Sequence, residues 1–267
     1  FTITLGSRDV RITTRFSEKS LLSGLFSNIH ETGHALYELG FDDEIRNNIL
    51  ATGTSLGMHE SQSRLWENQL GRSLSFWRQY LPRLQKYFPK QLAGIDPEQF
   101  YRAVNSVRPS MIRVEADEVT YNLHIILRFN LEKELMARRL DAADLPDRWD
   151  DLMEQYLGIR PENPAEGVLQ DVHWSAGLIG YFPTYALGNL YSAQLFRRMK
   201  TDIADLDTQV AAGQFGGILS WLRTHVHRHG AAYSAEEICR RVTGEGLNPD
   251  HFLSYIEEKY RGIYGFD

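Results

Sequence analysis

The stretch Ile29-His30-Glu31-Thr32-Gly33-His34-Ala35-Leu36-Tyr37-Glu38 decides how this chain is read. Its two histidines are four residues apart. On a helix that spacing puts both on one face, about 6 Å apart along the axis. Two imidazoles so placed reach one tetrahedral ion at about 2.0–2.1 Å. Glu31 follows His30 by one residue and is turned about 100° around the helix. It flanks such an ion without ligating it, where it can take a proton from a water. His-Glu-x-x-His on a helix is a general signature of zinc metallopeptidases. The neighbours Leu25, Phe26, Ile29 and Leu36 give the helix the apolar flank of a buried element, which favours a built site over a chance match.

A catalytic zinc site needs a third protein ligand and one open position. Glu60, in Gly57-Met58-His59-Glu60-Ser61, is the best candidate. It falls on the next expected helix, and Ile45 to Gly53 can turn the chain back, so Glu60 returns opposite the histidine pair. Asp42, Asp43 and Glu44 are nearer in sequence but follow the helix-ending Gly40, and are expected to face solvent. His59 is an alternative ligand; two histidines and a glutamate is the commoner set.

Working outward, the chain reads as mainly α-helical, with a small N-terminal β-hairpin. Thr2-Ile3-Thr4-Leu5 and Val10-Arg11-Ile12-Thr13-Thr14 are β-branched arms around Gly6-Ser7. Ser17 is a good N-cap for a helix through Leu39, with Gly40 as its stop. A second helix includes Ser55 to Leu74, and another runs to about Phe88. Pro109-Ser110 opens a long helix to about Leu140, with Ile112, Ala116, Val119 and Leu123 at helical spacing. Residues 158–180 are rich in Gly, Pro and Asn and read as a long irregular loop, a feature that in compact domains tends to be functional. Pro183 opens a helix to about Asp202. Helices at Phe215–Arg228, Ala235–Thr243 behind the Ser234/Glu237 capping box, and Pro249–Tyr264 close the chain.

The composition is that of a globular chain. Of 267 residues 42% are hydrophobic and 24% charged, and the net charge is −6 with both signs dispersed. That pattern offers no basic footprint for nucleic acid or an anionic membrane. No apolar run reaches the roughly eighteen residues of a membrane span. The single cysteine, Cys239, excludes an internal disulfide and makes a reducing cytoplasm the default expectation. Cys239 is expected to be core or semi-buried and not a nucleophile. His225, His227 and His229 alternate on a helix end, diverge, and read as solvated. His124 and His251 have no sequence neighbour to suggest a site. The chain opens at Phe1, already in strand-like sequence, so a preceding region is expected.

Five blocks together resemble the Taq carboxypeptidase family of metallocarboxypeptidases (peptidase family M32). They are the His30–His34 run, Asp9-Val10-Arg11-Ile12-Thr13, His59-Glu60-Ser61-Gln62, Ile112-Arg113-Val114-Glu115-Ala116-Asp117, and Gly167-Val168-Leu169-Gln170-Asp171-Val172-His173-Trp174. The resemblance spans essentially the whole chain, in order. It implies a single catalytic domain over 1–267, the later half of a longer helical, zincin-like molecule with a deep cleft, usually a homodimer. It also implies zinc, with cobalt as a substitute, and broad removal of C-terminal residues from peptides with a free C-terminus, by Glu31-assisted attack of water at the metal. It assigns His30, His34 and Glu60 to the metal, and His173 and Tyr185 to the oxyanion, with Tyr181 the rival of Tyr185. Arg113 becomes the candidate for the substrate carboxylate, since an arginine fork binds a carboxylate through two parallel hydrogen bonds. Read without the resemblance, Arg113 is a helix-surface residue paired with Asp117. Arg11 is a second choice, and Gln170 would orient substrate or His173.

Overall fold

The computed structural model describes residues 1–266. The chain divides into two compact units, Phe1–Val104 with Leu187–Asp267, and Asn105–Ala186.

The first unit opens with the expected hairpin: β1 (Thr2–Gly6) pairs antiparallel with β2 (Asp9–Ile12), Thr2 opposite Ile12 and Ile3 opposite Arg11. Helix α1 spans Leu21–Glu38 and starts three residues later than the Ser17 cap predicts. Ser17 instead accepts a hydrogen bond from the Lys19 N–H and forms an isolated bridge with Ser20, so the turn around it competes with the helix. Helix α2 (Leu56–Arg64) begins where Ser55 Oγ accepts from the Met58 N–H. The expected continuous helix to Leu74 is broken. It widens into a π turn at Leu65–Leu70 and stops, and Ser73 caps a new helix, α3 (Leu74–Tyr87). Helix α4 (Pro97–Val104) follows, from a segment that carried no expectation.

The second unit holds the main departure. No helix forms from Pro109. A 3-10 turn at Arg113–Glu115 precedes α5 (Tyr121–Met136). The cause is Asp117: one carboxylate oxygen accepts from the N–H groups of Val119 and Thr120, the other from the Arg108 N–H. That capping geometry starts a helix and is incompatible with lying inside one. It also removes the Arg113–Asp117 pairing. Helix α6 (Leu145–Leu157), unforeseen, buries Trp149, Leu152 and Met153 against Leu127 and Leu131 of α5. Residues 158–182 contain no helix or strand, as expected, yet the loop is pinned. Buried Glu132 accepts from Trp174 Nε1 at 2.8 Å and from the Gly180 N–H at 3.2 Å.

Helix α7 (Pro183–Asp202) starts in the second unit and carries the chain back to the first. There α8 (Leu206–Ala211), α9 (Gly216–His225), α10 (Ala235–Thr243) and α11 (Asp250–Tyr264) complete it. Its main core joins Tyr37, Met58 and Leu65 to Leu195, Met199, Ile218, Leu222 and Ile238, and contains Cys239. The histidine tract corrects the solvated reading. His227 is fully buried, its Nε2 is 2.9 Å from Gln62 Oε1, and burial holds its pKa down to about 3. Among the described residues no helix is long and apolar enough to cross a membrane.

Candidate metal centre

In the first unit α1 carries His30, Glu31 and His34, and α2 carries Glu60. The Nε2 atoms of His30 and His34 lie 3.6 and 3.5 Å from the same oxygen, Glu60 Oε2. One ligand atom from each residue falls within a 4.8 Å cluster, the only such His/Cys/Asp/Glu group among the described residues. Two glycines make this approach possible. A methyl group at Gly33 would lie 2.6 Å from Ser63 Cα, so α1 and α2 touch backbone to backbone. A methyl at Gly188 of α7 would overlap Glu60 Cγ. Gly188→Ala is therefore expected to cost about 1–3 kcal/mol of stability by overpacking, and to weaken metal binding by displacing Glu60. Thermal unfolding and a metal titration on the variant check this; unchanged affinity would count against Gly188 as the seat of Glu60.

The remaining polar atoms of these three residues are occupied. Glu60 Oε1 accepts from Arg64 Nε at 2.8 Å, which leaves Oε2 to face the histidines. His30 Nδ1 lies 2.9 Å from Glu67 Oε2, and Glu67 is also bound by Arg64 at 3.4 Å and Arg72 at 3.2 Å. Glu67 sits in the π turn, a distortion often found at functional sites. His34 Nδ1 lies 2.6 Å from His59 Nδ1. Both nitrogens of His59 are engaged, so it is not the ligand that the sequence allowed. Two imidazole nitrogens and a carboxylate oxygen, each held from behind, fit a divalent ion of the borderline class.

Burial opposes the charge of both Glu60 and Glu67, but Arg64 and His30, with His34 at Glu60 and Arg72 at Glu67, outweigh it and hold both carboxyls below their ordinary range. Burial likewise works against a proton on His30, yet Glu60 and Glu67 raise its pKa to about 9. Burial pushes His34 downward. The free site thus keeps a proton on His30 at neutral pH, and a metal must expel it. Affinity is expected to climb by about tenfold per pH unit as pH rises toward 9, with about one proton released per ion at pH 7. An indicator titration in weak buffer measures this, and zero release would show that His30 is not displaced. Glu31 is partly exposed beside the cluster, with Thr2 Oγ1 2.7 Å from its Oε2.

The second unit assembles its own cluster. His173 Nε2 lies 2.9 Å from the Tyr185 hydroxyl, which separates Tyr185 from Tyr181, whose ring only packs against His173. Arg113 is buried; its Nε and Nη2 donate to Asp171 Oδ1 at 3.1 and 2.7 Å, and Nη1 donates to Tyr121 at 3.0 Å. Fully buried Arg128 donates to Asp171 Oδ2 at 2.7 Å. Gln170 accepts from the Arg113 N–H and donates to the carbonyls of Met111 and Glu166, which uses its whole amide. Arg11 is exposed on the hairpin and paired with Asp9.

Sequence reasoning missed Glu67, Arg64, Thr2, Glu38 and Arg128. Only the Glu60/Arg64/Glu67 set carried a signal, an i, i+4, i+7 run of alternating charge. The others meet their partners through tertiary packing.

The chain is similar to known proteins. The family model described as Carboxypeptidase Taq (M32) metallopeptidase matches residues 1–260. The chain is 47% identical over 265 residues to Thermostable carboxypeptidase 1 of Thermus thermophilus, covering 99% of this chain and 52% of that protein. It is 44% identical over 264 residues to Carboxypeptidase 1 of Bacillus subtilis, covering 99% and 53%. A crystal structure of a carboxypeptidase of the same family from Deinococcus radiodurans superposes with a TM-score of 0.97 at 46% identity, covering 100% of this chain and 54% of that one. The chain therefore spans about half the length of the relatives it matches. On a family match through both units, with the metal-ligand cluster in place, this chain belongs to the Carboxypeptidase Taq metallopeptidase family.

Proposed function

We propose that this chain forms the catalytic part of a zinc metallocarboxypeptidase that removes C-terminal residues from peptides. The observation that carries the proposal is the convergence of His30, His34 and Glu60 on one point, with Glu31 next after His30 on α1. Zinc held there supplies Lewis acidity, polarising a carbonyl and making a water acidic near neutral pH.

Glu31 accepts the proton of the attacking water and hands it to the leaving amine. Tyr185 and His173 serve the oxyanion. With hydrogen on His173 Nε2, the imidazole donates to the Tyr185 oxygen, and the phenol O–H would be the donor to the developing charge. Arg113 receives the terminal carboxylate. Of its five N–H groups, three are engaged by Asp171 and Tyr121, which leaves one on each terminal nitrogen for a two-point contact. Gln170 supports Arg113 through its backbone. Arg11, spent on Asp9, is second to Arg113.

The test is release of free amino acid from an N-acylated Ala-Arg dipeptide, with zinc or cobalt and then with chelator. Chelator-sensitive release is expected. Cleavage of a C-terminally amidated peptide instead would point to an endopeptidase. Stoichiometric zinc without any release would overturn catalysis by this chain on its own.

A further inference from the structure

His59 has no role in the proposed reaction, yet it is as tightly placed as the ligands. Its Nδ1 meets His34 Nδ1 at 2.6 Å and its Nε2 meets Glu38 Oε1 at 2.8 Å. The other Glu38 oxygen accepts from Thr4 Oγ1 at 3.1 Å, which ties the hairpin to this chain of contacts. The His59 ring lies 4.7 Å from the His34 ring and 5.2 Å from that of Tyr37. Gly53 passes so near that a methyl group there would sit 2.8 Å from His59 Cδ2. The ring therefore has little room to turn.

The order of hydrogens along this chain follows from donor and acceptor chemistry. A carboxylate only accepts, so His59 Nε2 carries the hydrogen that faces Glu38. A neutral His59 then presents Nδ1 as a bare lone pair. Two nitrogens 2.6 Å apart need one hydrogen between them, and it must sit on His34 Nδ1. That leaves His34 Nε2 bare, and Nε2 is the atom that faces Glu60 at 3.5 Å. His30 has direct support from a carboxylate, through Glu67 at 2.9 Å. The two histidines thus present the same nitrogen by different routes, one braced by a carboxylate and one by an imidazole backed by a carboxylate.

From this we infer that His59 and Glu38 are positioning residues, holding His34 in the tautomer and ring orientation that offers Nε2 to a divalent cation. The inference rests on the metal-site reading above and adds a support that acts through His34.

Two variants of unequal reach test it, by zinc competition against a chromogenic chelator. His59→Asn keeps an oxygen near the former Nδ1, can still accept from His34, and loses Glu38. His59→Gln keeps an amide near the former Nε2, retains Glu38, and loses His34. Each gives up one hydrogen bond, so the metal-free variants are expected to unfold at similar temperatures. The zinc Kd is expected to rise about 10–100-fold in His59→Gln and to stay within about threefold in His59→Asn. Nitrogen-15 spectra of the zinc-loaded parent protein are expected to show the His34 hydrogen on Nδ1. Equal zinc affinity in the two variants, or a hydrogen on His34 Nε2, would overturn the inference alone. A parent protein that binds no zinc would overturn the metal-site reading, and the inference with it.

Discussion

Glu31→Gln is expected to lower turnover by about 10²–10⁴-fold while zinc still binds stoichiometrically. The substitution is nearly isosteric and removes the capacity to accept and return a proton, together with the charge that faces the Phe1 ammonium at 3.5 Å. Glu31 is outside the His30/His34/Glu60 cluster, so the ligand set is untouched. Its contact from Thr2 Oγ1 at 2.7 Å survives, because the glutamine amide oxygen accepts that hydrogen equally well. Stability should move little, since the side chain is partly exposed and supports no core contact. Single-turnover kinetics with a parallel zinc titration separate the outcomes. Near-normal turnover would remove Glu31 from the mechanism. Lost zinc would instead place it in the ligand set, against the geometry described here.

Asp171→Ala is expected to produce the largest loss of stability, about 3–5 kcal/mol. Asp171 stands between two buried guanidinium groups, with Arg113 on one oxygen and Arg128 on the other. Taking away the shared anion strands both cations in a site where water cannot replace it. Burial alone would raise the Asp171 carboxyl, but the two arginines outweigh it and hold it below its ordinary value. A carboxyl depressed in the folded state stabilises the fold above its unfolded pKa of 3.8. That contribution fades as pH falls through the folded value. Urea unfolding at pH 7 and again in acid should therefore show the variant gap narrowing as Asp171 becomes protonated. A gap below about 1 kcal/mol at neutral pH, the range of an exposed pair, would mean that water reaches the arginines. The chemical consequence extends further. Asp171 precedes His173 by two residues and its oxygen lies 3.8 Å from His173 Nδ1, so losing the anion also frees the segment that presents His173 to Tyr185.

Together these results would divide the molecule's polar groups by task. Glu31 would act on protons, whereas Asp171, Glu67 and Arg64 would hold other charges in place. The distinction is one of partners: the holding groups pair with charged or imidazole side chains, Glu67 with His30, Arg64 with Glu60 and Asp171 with Arg113, whereas Glu31 meets Thr2 and the Phe1 ammonium on the hairpin.

How far the sequence carries depends on whether a relation is local. The facing of His30 and His34 is set by the α-helical repeat, which any helix containing them must obey. The hairpin arms, the Ser234 cap and the start of α7 at Pro183 follow from backbone chemistry within a few residues. Glu60 could be named because only a short return separates its helix from the first. Even local reasoning fails where side chains compete with the backbone, as Asp117 does in delaying α5 to Tyr121 and Ser17 in delaying α1 to Leu21.

Beyond that range the tertiary structure alone decides. Nothing in the order of residues says that Glu67 reaches His30, that His59 leans on Glu38, or that Asp171 joins Arg113 to Arg128. Nor does it say that His227, in a polar tract, is buried against Gln62. Contacts of this kind depend on how closely the chain approaches itself: Gly33 lets α1 meet α2, Gly53 leaves room for His59 and Gly40 for His227. Hydrogen bonds and ion pairs act over about 3 Å, so a shift of one ångström in a helix crossing makes or breaks them. The sequence by itself therefore determined which residues could hold a metal and which could move a proton. Packing determined which partners keep those residues oriented, because orientation is a property of contacts that the linear order does not contain.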